Sequence, residues 1–167
     1  SVNNKKIYDE FNKYDILIVP GFQGINKNFN ITTLGRGGSD TSAVAIASSL
    51  KVECVIYTDV EGVYTTDPNL VPKAKKIPKI SYEEMLELAS QGAKVLQTRS
   101  VELAMRKKTK LSVRSSIKPS ASGTVITDEN NVLENNTVSG IAFSRDEAKI
   151  TLSKVLDKPG VSSKIFG

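Results

Sequence analysis

Two short apolar runs separated by a helical pattern constrain the fold of this chain more than any other feature. Residues 16–19 and residues 52–57 are rich in β-branched side chains and end at turn-forming or polar residues, which predicts two buried strands, the first of them parallel. Between the runs, apolar residues recur at helical spacing over positions 43–50. A strand, a helix and a second strand in this order predict an α/β fold with a mostly parallel sheet.

The remaining chain predicts further alternation of helices and strands. A capping box, Ser81 with Glu84 three residues later, starts a helix that Gly92 would end. The other predicted elements are a helix at 7–11, a hairpin at 22–33, an irregular excursion at 60–79, a helix at 95–107 and short strands at 111–113 and 124–127. The polar stretch 128–136 lacks periodicity and reads as a linker. A half-buried strand at 150–153 and a turn at 157–160 follow it.

Length and composition limit the chemistry that the chain can perform. Its 167 residues suit one domain or slightly more, and no apolar run approaches the roughly 18 residues of a membrane helix. The chain has no histidine, which excludes thiol–imidazole catalysis and histidine metal sites. The single cysteine, Cys54, lies in an apolar run and is expected to be buried. We therefore expect a protein of the reducing cytoplasm, with no membrane partner and no metal held directly by side chains.

The net charge of +5 does not by itself indicate a nucleic-acid partner. Lysine supplies 18 of the 23 cationic residues, and the five arginines are scattered without aromatic interleaving. The densest cluster, Lys73, Lys75, Lys76 and Lys79, is expected to be a solvated loop. A basic site for a small anion such as a nucleotide remains open.

A glycine-rich turn at residues 35–38 leads into the helical pattern and is the first candidate site. Glycines allow backbone N–H groups to approach an anion, and a helix start offers free N–H groups. Arg36 could pair with a carboxylate or phosphate, whereas Asp40 could simply complement the helix dipole. An ordinary turn remains the alternative to an anion site.

A second candidate site follows the strand at 52–57. Thr58 and Asp59 come where a parallel strand meets its loop, which is the usual ligand edge of an open α/β sheet. The loop 64–68 adds an aromatic ring and several hydroxyls, although a plain turn is the alternative. Lys94 stands at a predicted helix start. A cation at this position could contact a bound anion, or it could lie in solvent at a frayed helix end.

Taken together, these segments resemble one family, the bacterial aspartokinases, in order and in spacing. The resemblance covers nearly the whole chain. Its most specific parts, taken as a set, are the Gly-Arg-Gly-Gly-Ser-Asp run at 35–40 and the Thr-Asp-Pro run at 66–68. Further matching segments lie at 20–24, 32–34, 57–63, 83–89, 92–96 and 99–102, and the turn 157–160 resembles the effector-binding turn of the family's first ACT domain.

The resemblance implies an activity and a set of roles. The activity is transfer of phosphate from ATP, with Mg²⁺ held mainly through the phosphates, to the side chain of L-aspartate, the first step towards lysine, threonine, methionine and diaminopimelate. Asp40 and Lys94 would be catalytic, and Arg36, Gly37, Gly38 and Ser39 would bind aspartate. The nucleotide would be bound by Ser39, Thr58, Asp59, Tyr64, Thr65, Thr66, Asp67, Pro68, Asn69 and Lys94. A feedback effector, lysine or threonine or both, would be bound by Asp157, Lys158, Pro159, Gly160, Val161 and Ser162.

The resemblance also implies a domain organisation. Residues 1–128 would be the nucleotide-side part of a three-layer αβα sandwich, the amino-acid kinase fold. Residues 129–136 would link it to an incomplete α+β ACT segment at 137–167. The family's lysine–aromatic–glycine–glycine phosphate loop is not among these residues, so we expect activity only when the missing half of the kinase domain completes the site, and a homo-oligomer at full length.

Three alternatives stay open at this point. The chain could be a non-catalytic remnant or a regulatory partner of an aspartokinase. It could be another amino-acid kinase that acts on glutamate or a small nucleotide, although residues 35–40 and the ACT-like tail argue against this. A basic nucleic-acid binder comes last.

Overall fold

The computed structural model describes residues 2–93, 95–128 and 140–142. Its helices are α1 (Asn4–Phe11), α2 (Gly38–Leu50), α3 (Tyr82–Ser90) and α4 (Thr98–Lys107). Its strands are β1 (Gln23–Ile25), β2 (Ile31–Thr33), β3 (Cys54–Thr58), β4 (Lys79–Ser81), β5 (Leu111–Ser115) and β6 (Thr124–Thr127). The α/β class predicted from the sequence is confirmed.

The main sheet has the strand order β3-β5-β6-β4. The pairs β3–β5 and β4–β6 are parallel, whereas β5 and β6 are antiparallel. The antiparallel pair arises because residues 116–123 return the chain directly, without the crossover helix that a parallel pair requires. The sheet is therefore mixed, with parallel pairing at two of its three junctions.

Helices α2, α3 and α4 cover one face of this sheet. The buried residues are contributed by all three helices and by β3 to β6, and they form one continuous core. Its fully buried members include Val44, Ile80, Met85, Val101, Leu111, Val113 and Ile126. On the opposite face Val55 and Tyr57 are 38% and 58% exposed, so β3 is half-buried rather than wholly buried.

Local sequence signals place the helix ends of this layer. Ser81 accepts a hydrogen bond from the N–H of Glu84, and the Glu84 carboxylate accepts one from the N–H of Ser81, so the predicted capping box is confirmed. Helix α4 begins at Thr98 rather than at residue 95, because Gln97 has an extended backbone and serves as its N-cap. The hairpin predicted at 22–33 is also confirmed, as the antiparallel pair β1–β2.

The strand predicted at residues 16–19 is wrong for this structure. The segment belongs to neither described sheet, and Ile16 and Ile18 are 81% and 94% exposed. Apolar, β-branched residues become a strand only where a neighbouring strand satisfies their backbone N–H and C=O groups, and none of the described strands lies beside this segment.

Several smaller predictions from the sequence can be compared with the structure. Cys54 is buried, as predicted, while Lys73, Lys75 and Lys79 are exposed and Lys76 is half-buried. No helix in the described part of the chain is long and apolar enough to cross a membrane. The predicted linker at 129–136, the strand at 150–153 and the effector residues from Asp157 to Ser162 lie outside the described residues.

Candidate functional site

The glycine-rich turn (residues 35–38) lies directly before α2 and is built on two left-handed glycines. Gly35 and Gly37 have φ values of 76° and 70°, a backbone region that side chains disfavour. The N–H of Gly38 donates to the carbonyl oxygen of Gly35 at 2.9 Å, which closes the turn. A Cβ atom at Gly37 would overlap the side chain of Gln97, so this position requires glycine for space as well as for conformation.

The N-terminus of α2 is the part of the fold that contains the first candidate anion site. Its N-cap, Gly37, has no side chain to accept from the first-turn N–H groups. Arg36 and Ser39 are exposed on either side of this helix start. The hydroxyls of Thr41 and Ser42 turn back to the carbonyls of Gly37 and Gly38, at 3.1 and 2.8 Å. An exposed cation and an exposed hydroxyl therefore flank a helix start that no side chain caps.

Asp40 lies half-buried in the first turn of α2, next to the start of α4. Burial raises the pKa of its carboxyl group, and a hydrogen bond from the backbone N–H of Gln97 partly opposes that rise. The same carboxylate contributes to raising the pKa of Cys54 to about 11, although burial of that thiol is the larger cause. Asp40 is thus a carboxylate held in a fixed position at a cost in solvation, which is typical of functional carboxylates.

Sequence reasoning missed the part that Gln97 and Arg99 play at this turn. The Nη2 atom of Arg99 donates to the backbone oxygens of Leu34 and Arg36, at 3.0 and 2.7 Å. These contacts join residues more than sixty positions apart, so no local sequence pattern could have indicated them.

The predicted nucleotide residues surround a separate cavity of about 680 Å³, beside the carboxyl end of β3. This volume lies within the usual range for small-molecule sites. Seven of the predicted nucleotide-binding residues line the cavity: Thr58, Asp59, Tyr64, Thr66, Asp67, Pro68 and Asn69. The structure therefore brings together residues from two separate segments, as the sequence predicted.

Hydrogen bonds hold the polar rim of this cavity. The hydroxyl of Thr58 donates to a carboxylate oxygen of Asp59 at 3.0 Å. The carboxylate of Asp67 accepts from the N–H of Asn69 at 2.9 Å, which fixes the turn that follows it. The hydroxyl of Thr65 accepts from the N–H of Lys75, and Thr65 is not among the lining residues. Thr65 therefore supports the cavity wall without lining the cavity itself.

The apolar lining of the cavity was not found from the sequence. Gly62, Val63, Leu70, Leu88, Ala93 and Val95 contribute to it. Ile141 and Ala142 also line it, although they come from the segment assigned to the start of the ACT domain. The N–H of Ile141 donates to the carbonyl oxygen of Thr65 at 2.7 Å, which anchors this segment at the cavity.

The segment 92–99 runs between the glycine-rich turn and the cavity. Gly92, Ala93 and Val95 line the cavity, while Gln97 and Arg99 contact the turn. Lys94 lies in this segment but outside the described residues. Among the described residues, no cluster of acidic or thiol side chains could hold a metal ion.

Comparison with known proteins places this geometry in a family. Residues 1–115 match the model of the amino acid kinase family. The chain is 53% identical over 168 residues to the aspartate kinase of Pseudomonas putida, covering 99% of this chain and 41% of that protein. It therefore spans about two fifths of the length of such curated relatives.

Two solved structures of one enzyme are also similar to the chain. Escherichia coli aspartokinase III in complex with aspartate and ADP is 43% identical and superposes with a TM-score of 0.61, covering 65% of this chain and 24% of that one. The same enzyme in complex with lysine and aspartate gives a TM-score of 0.58 at 43% identity, covering 69% and 25%. From the matched family model, the relatives and the shared fold, we conclude that the chain belongs to the amino acid kinase family.

Proposed function

We propose that the protein is an aspartate kinase, which transfers the γ-phosphoryl group of ATP to the side-chain carboxylate of L-aspartate and releases 4-phospho-L-aspartate and ADP. The observation that carries this proposal is the cavity beside β3, where seven residues expected to bind the nucleotide lie together. Similarity to aspartate kinases along almost the whole chain supports the same activity.

On the aspartate side, the proposal assigns the substrate to the start of α2. Arg36 pairs with the α-carboxylate, the N–H groups of Gly37 and Ser39 donate to it, and Gly38 lines the site. Asp40 orients the cationic groups around the transferred phosphate. The left-handed turn and the uncapped helix start are the features that support this assignment.

On the nucleotide side, Thr58 and Asp59 contact the base and ribose, and residues 64–69 surround the rest of the nucleotide. Lys94 and Ser39 contact the phosphates. Mg²⁺ is held mainly by the phosphates themselves.

The chemistry needs no general base from this chain. The acceptor carboxylate of aspartate is ionised at neutral pH, because the ordinary pKa of such a group is about 4. Phosphoryl transfer to it depends on alignment and on neutralising the charge of the transferred group. Backbone N–H groups, Arg36 and Lys94 are suited to these tasks, and the absence of histidine from the sequence is no obstacle.

We also propose the setting in which this activity operates. The product feeds lysine, threonine and methionine synthesis in the cytoplasm, and lysine or threonine regulates it through residues 157–162. The E. coli enzyme crystallised with lysine and aspartate supports lysine as an effector. Residues 137–167 begin an ACT domain, and ACT pairing produces a homo-oligomer.

A chimera tests the activity directly. This chain replaces the matching 168 residues of the Pseudomonas putida aspartate kinase. We expect ADP release that depends on L-aspartate, with an acyl phosphate product trapped by hydroxylamine. The matched control is the same chimera with Asp40→Asn, which should release almost no ADP.

Other results of the same assay would contradict the proposal. A folded chimera that binds Mg·ATP but shows no turnover with L-aspartate would indicate a non-catalytic protein. Turnover with L-glutamate in preference to L-aspartate would indicate a different amino-acid kinase.

A further inference from the structure

We infer that Arg99 is a positioning residue, which holds the glycine-rich turn in the conformation that binds the substrate carboxylate. The inference rests on the proposed aspartate site at the start of α2. It assigns a role to a side chain that contacts neither proposed substrate and that no part of the proposed mechanism uses.

The contacts of Arg99 are directed at the backbone of the turn. One nitrogen, Nη2, lies 3.0 Å from the carbonyl oxygen of Leu34 and 2.7 Å from that of Arg36. These two carbonyls flank Gly35, and Nη2 itself would lie 3.7 Å from a Cβ atom at Gly35. A single guanidinium group therefore binds the backbone on both sides of Gly35, where the turn begins.

These contacts matter because the first half of the turn has few other restraints, apart from the hydrogen bond from Gly38 to Gly35. Gly35 and Gly37 adopt left-handed backbone conformations, and a free glycine samples many others. Gly35 and Arg36 are exposed, so packing does not fix them. Hydrogen bonds from a charged donor are stronger than those from a neutral one. Arg99 thus restrains a backbone conformation that the glycines by themselves would not hold.

The restraint also determines where Arg36 points. Fixing the carbonyl group of Arg36 fixes the peptide plane that follows it, and hence the N–H group of Gly37. In the proposed site, that N–H group and the Arg36 side chain both meet the α-carboxylate of aspartate. Loss of Arg99 should therefore weaken aspartate binding without disturbing the cavity at β3.

Arg99 also connects the two proposed subsites. It lies in the first turn of α4, directly after the segment whose residues Ala93 and Val95 line the cavity.

Hydrogen exchange of the 167-residue chain tests the structural part of the inference. We expect Arg99→Ala to increase amide exchange at Gly38, whose N–H donates to the carbonyl of Gly35 and closes the turn, about tenfold, a change of the size that loss of charged hydrogen bonds produces. Exchange in β5 should stay unchanged. The matched control is Arg106→Ala, an exposed arginine at the other end of the same helix, which should leave the turn as it is. If Arg99→Ala also increases amide exchange in β5, the test is repeated with Arg99→Gln, which keeps most of the aliphatic stem.

Kinetics of the active chimera test the functional part. Arg99→Ala should raise the KM for L-aspartate about tenfold and leave the KM for Mg·ATP unchanged, and Arg99→Lys should restore part of the loss. Unchanged exchange at Gly38 in both Arg99→Ala and Arg99→Gln would overturn the inference. So would increased exchange accompanied by an unchanged KM for aspartate. An inactive wild-type chimera would instead contradict the proposed function, and the exchange result would still decide whether Arg99 holds the turn.

Discussion

The side chain of Gln97 occupies the space that a Cβ atom at Gly37 would need. Gly37 also has a φ value of 70°, so an L-residue would be strained even without the contact. The relationship joins the start of α4 to the start of α2, and it explains why the glycine-rich turn tolerates no side chain at this position.

Gly37→Ala should therefore lower the free energy of unfolding by about 1–3 kcal/mol, because it combines a left-handed backbone with a steric overlap. Urea unfolding of the chain measures the change. Gly24→Ala is the matched control, since its Cβ would lie at an ordinary 3.5 Å from Leu34, and it should change stability much less. Equal effects of the two substitutions would contradict this account of the turn.

Asp59→Ala should weaken binding of Mg·ATP about tenfold or more, because the proposed ribose contact and its partner Thr58 are both disturbed. Calorimetric titration of the chain measures the affinity. Asp9→Ala removes another exposed carboxylate, from α1, and should bind as the wild type does. If Asp59→Ala bound Mg·ATP with wild-type affinity, the nucleotide would have to lie elsewhere.

Asp40→Asn should stabilise the folded chain at pH 7. The pKa of Asp40 is raised on folding, so its ionised form is the one that folding disfavours. The resulting penalty is complete above the raised pKa, and it disappears as the pH falls below the ordinary value of about 3.9. Thermal melts of the two proteins should differ at pH 7 and converge near pH 3.

The same substitution should lower the turnover of the chimera far more than it lowers substrate affinity, since Asp40 is proposed to act on the transferred phosphate. A variant that gains stability and loses turnover would identify Asp40 as a functional carboxylate kept at a cost to the fold. Loss of stability at pH 7 would show that the bond from Gln97 outweighs burial.

Thr124→Val should destabilise the chain by about 1–3 kcal/mol, because it leaves two buried backbone groups without a partner. The hydroxyl of Thr124 accepts from the N–H of Val63 at 2.9 Å and donates to the carbonyl oxygen of Ile77 at 2.6 Å. Denaturant unfolding, with Thr127→Val in the same strand as the control, measures the difference. If the two variants unfolded at similar denaturant concentrations, the two hydrogen bonds of Thr124 would not stabilise the fold in this way.

The thiol of Cys54 should react about a hundredfold more slowly with an alkylating reagent in the folded chain than in urea at pH 8. Burial raises its pKa from 9.0 to about 11, which lowers the reactive thiolate fraction by that factor. The rate of iodoacetamide modification measures the effect. Equal rates would mean that β3 is open to solvent in the native state.

Local patterns in the sequence were sufficient for much of this fold. The capping box at Ser81 predicted the start of α3, and the glycines at 35–38 predicted the turn before α2. Both signals act within a few residues, so the structure formed at these points depends little on distant partners. The residues proposed to bind the nucleotide, around Asp59 and Asp67, were also identified from the sequence, because their spacing along the chain resembles that of a known family.

Contacts between distant residues were decided only by the tertiary structure. Residues 16–19 have a strand composition but belong to no described sheet, since strand pairing depends on a neighbour as well as on propensity. Arg99 lies in the first turn of α4, yet its hydrogen bonds go to Leu34 and Arg36, more than sixty residues earlier in the chain. The sequence by itself predicted the turn before α2, the start of α3 and, by resemblance, the residues proposed to carry the chemistry. Only the folded chain decided which of those residues meet, because burial and hydrogen bonding are satisfied between segments that the linear order keeps apart.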